Sequence, residues 1–179
     1  MNVKQYKALQ AKQKREKEMA AIMPQYLAAY AKPGVLDEGS REWCLWKYGG
    51  YLAMDSPGAP ALVMTLPGIG PSLNWFWSGV HWTTRKKIRD AWHTAVARWV
   101  NEYEPDMLLG TYHLAFIGEF APGKNLYDAS NLAATSKMME DALVQNAVLP
   151  DDDASIIAPA AFYPLRGPRT YSTLALFER

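Results

Sequence analysis

The order of short apolar segments and amphipathic helical segments constrains the fold of this chain more than any other feature. Residues 61–66 form an apolar run that ends in a loop rich in Pro and Gly, which is typical of a short buried strand. A helix is then predicted to begin at Thr83 or Thr84 and to end before Pro105. Apolar residues recur on one side of it at Ile88, Trp92, Ala95, Val96, Trp99 and Val100.

The second half of the domain repeats this alternation and ends in two strands. Residues 108–120 predict a strand with both faces largely buried, and a further helix is predicted to begin near Asn131. Residues 154–162 and 170–178 predict the last two strands. The order β-α-β-α-β-β predicts an α/β (α+β) domain in which helices cover one mixed sheet.

Residues 1–60 differ in texture, and we expect them to form an N-terminal extension to a domain at 61–179. Residues 3–31 predict a basic helix interrupted at Pro24, and an aromatic segment follows between Trp43 and Tyr51. The helix is interpreted either as a solvated face, packed on one side or on a second subunit, or as a contact to a DNA backbone. The aromatic segment is interpreted mainly as a small satellite core.

The charge distribution limits where the chain could bind a nucleic acid. Residues 1–60 carry nine basic and six acidic residues, net +3, whereas the rest of the chain is net −2. Many DNA-binding proteins have a strongly basic balance that this chain lacks, so a nucleic-acid surface must come from local clusters. Arg85, Lys86, Lys87 and Arg89 form such a cluster. They fall in the first turns of a helix, where cations oppose the helix dipole, so the cluster favours an anionic partner over a purely structural role, with solvated charge as the alternative.

The sequence predicts a cytoplasmic protein that does not enter a membrane. No apolar run approaches the roughly 20 residues that cross a bilayer. The basic start of the chain has no apolar segment behind it of the kind that signal peptides contain. The single cysteine, Cys44, can form no internal disulfide, which agrees with a reducing compartment.

The stretch from Tyr127 to Ile157 concentrates the residues that could carry chemistry. Asp128 precedes the predicted helix, and Asp151, Asp152 and Asp153 follow it after a Pro. Acids at the two ends of a helical hairpin can meet, and adjacent like charges are costly unless a cation lies among them. Hard divalent cations prefer carboxylate oxygens, so a metal site is the sharper hypothesis and a solvated acidic loop is the alternative.

Lys137 lies on the same predicted helix, one turn before Asp141. The two side chains are interpreted either as an ordinary surface ion pair or as part of the site. In the second case the lysine would support charge that develops during phosphoryl transfer.

Several short motifs in this half of the chain occur in a characteristic order. They are a Pro-Ser-x-Asn loop after the first strand, an Asp-x-x-Asn-Leu helix start, a Lys four residues before Asp-Ala-Leu, and Leu-Pro-Asp-Asp-Asp-Ala before a strand. The residues concerned are Pro71, Ser72, Asn74, Asp128, Asn131, Leu132, Thr135, Lys137, Asp141, Ala142, Leu143, Asp152, Asp153 and Ala154. Over residues 62–178 the chain resembles the RusA family of Holliday junction resolvases, and its phage-encoded members most of all.

The resemblance implies a homodimer that binds branched DNA at four-way junctions and nicks it symmetrically with Mg²⁺, or with Mn²⁺ in its place. It implies no other small-molecule cofactor and, for a phage-encoded protein, the host cytoplasm. The implied catalytic residues are Asp128, Lys137 and Asp153, and the implied metal ligands are Asp128, Asp152 and Asp153. The implied DNA contacts are Asn74, Arg85, Lys86, Lys87, Arg89, Lys124, Asn131, Arg166 and Arg169.

The chain departs from the family pattern at Ser130, where the family has a second acid in the helix start. Either Asp151, Asp152 or Glu119 supplies the missing oxygen, or the protein binds branched DNA or another phage or host component without cleaving it. A scaffold module that does not touch DNA is a third alternative, which steep salt dependence of DNA binding would exclude.

Overall fold

The computed structural model describes residue 47 and residues 60–179. The predicted basic helix and aromatic segment of the N-terminal extension therefore lie outside the described residues, apart from Lys47 and Pro60. Nothing in the structure bears on the predicted boundary at residue 60.

The described chain follows the predicted order of strands and helices, with one addition: a short helix, Leu73–Trp77, forms in a segment predicted to be a loop. Its elements are β1 (Leu62–Pro67), α1 (Leu73–Trp77), α2 (Trp82–Tyr103), β2 (Tyr112–Phe120), a 3₁₀ helix (Ala129–Leu132), α3 (Ala133–Gln145), β3 (Ile157–Arg166) and β4 (Tyr171–Glu178). This arrangement confirms the α+β class. No helix in this part of the chain has the length and apolar character that a membrane span requires.

The four strands form one mixed sheet in the spatial order β1-β4-β2-β3. Strand β4 is antiparallel to both β1 and β2, whereas β2 and β3 are parallel. A parallel pair cannot be joined by a tight turn, and here the crossover contains the 3₁₀ helix and α3. The segment that carries most of the candidate site residues is thus the connection between two neighbouring strands.

The hydrophobic core lies between one face of the sheet and the helices α2 and α3. Leu114 of β2 pairs with Leu176 of β4, which pairs in turn with Leu62 of β1, so the three leucines form a row on that face. The helices contribute Val96 and Trp99 from α2 and Met139, Ala142 and Leu143 from α3. Strand β2 is buried on both faces from Leu114 to Phe120, as its sequence predicts.

The start of α2 differs from the prediction. Neither Thr83 nor Thr84 caps the helix; the N-cap is His81. Its Nδ1 accepts a hydrogen bond from the Thr83 amide at 3.3 Å and lies 2.8 Å from the Thr83 hydroxyl. An imidazole nitrogen that accepts a hydrogen bond can satisfy a free amide of the first turn as a hydroxyl does, so the helix begins earlier than the threonines indicated.

Strand β3 begins at Ile157, three residues later than predicted. The carbonyl oxygen of Asp153 accepts hydrogen bonds from the amides of Ile156 and Ile157, at 3.1 and 2.8 Å. These bonds close a turn over residues 153–157, so the backbone becomes extended only after it.

Candidate active site

Lys137 lies in the second turn of α3, and its ammonium group is the centre of a small cluster of charges. Asp141 lies one helical turn further on, and its Oδ1 is 3.1 Å from Lys137 Nζ. Side chains four residues apart occupy the same face of a helix, which accounts for this contact. About half of the Lys137 side chain is exposed (55%), so the cluster is open to a ligand.

Asp152 reaches the same lysine from the loop between α3 and β3. Its Oδ2 accepts a hydrogen bond from Lys137 Nζ. The loop is anchored by Val148 and Leu149, which are 2% and 1% exposed, and both amides donate to the carbonyl of Leu143. Burial of these two side chains turns the chain back over α3, and the turn places Asp152 beside Lys137.

The ion pairs hold the lysine in its charged form. Partial burial lowers the pKa of Lys137, but the hydrogen bonds to Asp152 and Asp141 outweigh it, and the pKa lies above its ordinary value. The ammonium is therefore present at neutral pH. Lys137 supplies a positive charge and hydrogen-bond donors and cannot serve as a general base.

The two carboxyl groups around Lys137 differ in the direction of their pKa shifts. Burial and then the contact with Asp152 raise the pKa of Asp141, although Lys137 opposes the shift. Burial also favours the neutral form of Asp152, but the contacts with Asp141 and Lys137 outweigh it and lower its pKa. As the pH falls, Asp141 is thus the first of the two to take up a proton.

Glu140 is a further acid at this site that the sequence analysis did not single out. Its Oε1 accepts a hydrogen bond from the Ser136 hydroxyl at 2.5 Å. Burial raises the pKa of Glu140, and the Ser136 hydrogen bond and the charge of Lys137 offset only part of this increase. Its position next to Asp141 was visible in the sequence, but its burial depends on how α3 packs.

The start of α1 contacts the 3₁₀ helix that precedes α3. The backbone amide of Asn74, in α1, donates to Oδ1 of Asn131 at 3.2 Å. Ser72 caps α1, since its hydroxyl oxygen accepts a hydrogen bond from the Trp75 amide. Two motifs that lie 57 residues apart in the sequence are therefore in direct contact.

The other acids named from the sequence are held separately. Asp128 occupies the N-cap position of the 3₁₀ helix, but its side chain makes no capping hydrogen bond. Asp153 turns toward its own loop, where its Oδ1 accepts hydrogen bonds from the Ser155 amide and hydroxyl, and these bonds lower its pKa. Asp151 Oδ1 accepts from the Asp152 amide at 2.7 Å. Within residues 60–179, no three acidic, histidine or cysteine side chains form a group able to hold a metal ion.

Asp141 and Asp152 are the donor set that fits a magnesium ion best. Mg²⁺ keeps several waters and is bound through one or two carboxylates, so two neighbouring carboxylates meet its needs. Two carboxylates that contact one ammonium leave a net negative charge, because Lys137 supplies only one positive charge, and a divalent cation would compensate it. Asp152 belongs to the predicted ligand set, whereas Asp141 is added by the structure.

Glu119 lies near the end of β2 and faces the opposite side of the sheet from the helices. It is buried at the end of β2, 2% exposed, and a Cβ atom at Gly167 would collide with its carboxylate. Alternate residues of a strand face opposite sides of the sheet, so Glu119 faces away from the side on which Leu114 and Phe116 meet the helices.

The predicted DNA contacts fall into two groups. Arg85, Lys86, Lys87 and Arg89 occupy the first two turns of α2, where Arg89 pairs with Asp90 at 3.0 Å. The second group lies where β2 and β3 end. Arg166 Nη1 donates to the carbonyl of Lys124 at 2.5 Å there, and Arg169 follows in the turn to β4.

Comparisons of the sequence with models of known protein families and with curated proteins found no match. The function proposed below therefore depends on the residues themselves and on their geometry.

Proposed function

We propose that the protein is a magnesium-dependent endodeoxyribonuclease that nicks branched DNA such as four-way junctions, in the manner of the RusA family that its motifs resemble. The observation that carries the proposal is the contact of Lys137 with Asp152 and Asp141. A cation and two acids, one acid from α3 and one from the loop after it, meet at an exposed position. A cluster of this composition suits the cleavage of an anionic ester.

Each side chain of the cluster has a distinct part in the proposed reaction. Lys137 donates hydrogen bonds to a non-bridging phosphate oxygen and stabilises the negative charge that develops during in-line attack by water. Asp152 and Asp141 would hold magnesium, which neutralises phosphate charge and lowers the pKa of a bound water. Asp128 and Asp153, from the two flanking loops, orient water and the phosphate from outside the cluster.

The basic residues supply binding energy from two surfaces of the domain. The cations of α2 and those at Lys124, Arg166 and Arg169 contact phosphates, which position the DNA without reading its sequence. The proposal includes a homodimer, because two symmetric nicks across one junction require two copies of the site.

The decisive experiment is a nicking assay on a synthetic four-way junction in Mg²⁺ and in EDTA. The wild-type protein should introduce paired nicks only with the metal. Lys137→Ala and Asp152→Asn should each reduce the nicking rate by about a hundredfold or more, since each removes charge stabilisation from the transition state. The double variant Asp128→Asn with Asp153→Asn should lose nicking as well.

Asp106→Asn is the matched control, because Asp106 is an exposed acid in the loop between α2 and β2 and lies outside the cluster. It should nick at the wild-type rate. Equal cleavage by Lys137→Ala and wild type would refute the site, and the absence of any nicking by the wild type would refute the nuclease.

A second candidate is a RusA-like protein that binds branched DNA without cleaving it. Ser130, exposed in the 3₁₀ helix, supplies no carboxylate where the family has its second acid, and this favours the alternative. Junction binding in EDTA that falls steeply with salt, together with no nicking in Mg²⁺ or Mn²⁺, would select it.

A further inference from the structure

A cleft between α1 and the start of α2 combines aromatic rings with positive charge. It has a volume of about 400 Å³ and is lined by Phe76, Trp82, Arg85, Lys86 and Arg89. We call this surface, together with Trp77, whose ring contacts Arg85, the aromatic-basic cleft. Its volume lies within the range of roughly 300–1,000 Å³ that is usual for small-ligand sites.

The tryptophans of this region are far more exposed than structural packing requires. Trp77 is 65% exposed and Trp82 is 61% exposed, whereas Trp99 of the same helix layer is 9% exposed. Large aromatic rings contribute most to stability when they are buried, so two neighbouring exposed indoles indicate a binding surface.

The rings already show the geometry that a stacking site uses. The guanidinium of Arg85 lies over the Trp77 ring, 5.3 Å from its centroid. His81 lies beside Trp82, with ring centroids 5.9 Å apart and planes inclined by 35°. Each indole thus contacts one neighbour while much of its surface remains open to solvent.

The charges of the cleft specify an anionic occupant. Arg89 is partly compensated by Asp90, but within residues 60–179 no carboxylate forms an ion pair with Arg85 or Lys86. Aromatic rings beside uncompensated cations are suited to single-stranded nucleic acid. Its bases can stack on the rings, and its phosphates can contact the cations. In duplex DNA the base faces are covered by their neighbours, so exposed indoles have nothing to stack on.

We infer that the aromatic-basic cleft binds unpaired nucleotides of single-stranded DNA. The backbone amide of Asn74, which directly precedes the aromatic residues of α1, donates to Asn131, so the cleft is linked to the 3₁₀ helix that leads into α3. The choice of DNA over RNA rests on the proposed function, whereas the stacking and charge arguments do not. Binding of this kind would let the protein recognise the unpaired bases of a branch point.

The test is fluorescence anisotropy in EDTA with a labelled oligothymidylate of about 20 nucleotides, a duplex of the same length and an oligouridylate. Without metal, binding is measured independently of cleavage, so failure of the nuclease and failure of the cleft are distinguishable. We expect the oligothymidylate to bind more tightly than the other two probes. Replacement of both Trp77 and Trp82 by Ala should weaken its binding by about fivefold or more.

The salt dependence separates stacking from charge. Lys86→Ala should reduce the slope of log affinity against log salt by about 0.7, because one phosphate contact is lost. The double tryptophan variant should keep the wild-type slope, and replacement of both residues by Phe should retain most of the affinity because an aromatic face remains.

The matched control is Tyr103→Ala, at the other end of α2, where the ring is 49% exposed but lies outside the cleft. It should bind as the wild type does, and circular dichroism should show that all variants are folded. Three results would overturn the inference: unchanged oligothymidylate binding by the double Ala variant, duplex binding equal to single-strand binding, or tighter binding of the oligouridylate.

Discussion

Lys137 lies between two carboxyl groups whose pKa values shift in opposite directions. The charges of these three residues control how strongly the cluster attracts a divalent cation. The raised pKa of Lys137 keeps its ammonium, and the lowered pKa of Asp152 keeps its carboxylate. Asp141 is the member that changes charge first on acidification. The cluster therefore becomes less able to attract a divalent cation as the pH falls.

Glu140, next to Asp141, is expected to lower the stability of the folded protein at neutral pH. Burial raises its pKa in the folded protein, so its contribution to stability is present below the pKa of the unfolded chain and is lost as the pH rises through the folded pKa. Glu140→Gln imitates the neutral form and keeps a partner for Ser136. We expect a melting temperature higher by about 1–3 °C at neutral pH, and no difference below about pH 4.

Thermal unfolding of Glu140→Gln at the two pH values measures this effect, with Asp106→Asn as an exposed acid for comparison. A melting temperature at or below that of the wild type at neutral pH would show that ionised Glu140 is fully compensated in the folded state.

At the scale of elements, the 3₁₀ helix is the piece that connects the sheet to the candidate site. Leu132 at its end is fully buried in the core, whereas Asn131 reaches toward α1. The loop before it is closed by Tyr127, whose ring packs edge to face on Phe120 with centroids 4.9 Å apart. The helix is thus anchored at both ends, and it positions α3 and its lysine relative to α1.

Asn131→Ala should remove the link between the 3₁₀ helix and α1 at small cost to stability. One hydrogen bond near the surface contributes about 0.5–1.5 kcal/mol, which corresponds to a few degrees in melting temperature. Under the proposed function the loss of nicking should be larger than this, because α1 and the lysine cluster would no longer be held together. Asn131→Asp keeps the acceptor oxygen and should unfold at nearly the wild-type temperature. If its Tm is as low as that of the Ala variant, the hydrogen bond from the Asn74 amide does not contribute to stability.

At the scale of the whole molecule, the helix layer depends on a close approach to the sheet at Gly118. A Cβ atom there would lie 2.6 Å from Leu132 Cδ2 and 2.7 Å from Ile69 Cδ1. The central strand therefore needs a residue without a side chain where the 3₁₀ helix and the loop after β1 converge. The same contact aligns the two segments that meet at Asn74 and Asn131.

Gly118→Ala should destabilise the protein by about 1–3 kcal/mol, since a methyl group has to displace two buried side chains. Chemical denaturation measures the change. In a Leu132→Ala background, where one of the two neighbours is shortened, the same substitution should cost less than in the wild type. Equal costs in the two backgrounds would mean that Leu132 is not what excludes the methyl group.

The local sequence pattern was sufficient to predict the order of the strands and longer helices over residues 60–179. Apolar periodicity depends only on which side of an element is buried, so it predicted the alternation of strands and helices and the burial of both faces of β2. The four-residue spacing of Lys137 and Asp141 placed them on one face of a helix for the same reason. The predicted ends of helices and strands were less accurate, because the cap at His81 and the turn at Asp153 each depend on one or two local hydrogen bonds.

The contacts between residues that are distant in the sequence depend on how the elements pack, and the sequence pattern alone does not predict them. The order β1-β4-β2-β3 and the antiparallel position of β4 follow from pairing between distant segments. The sequence pattern does not distinguish the three consecutive aspartates from one another. In the structure, burial of Val148 and Leu149 turns the loop, and Asp152 then contacts Lys137. Asp153 instead accepts hydrogen bonds from Ser155. Side chains that are alike in the sequence differ in the site because the packing of their neighbours directs each one separately.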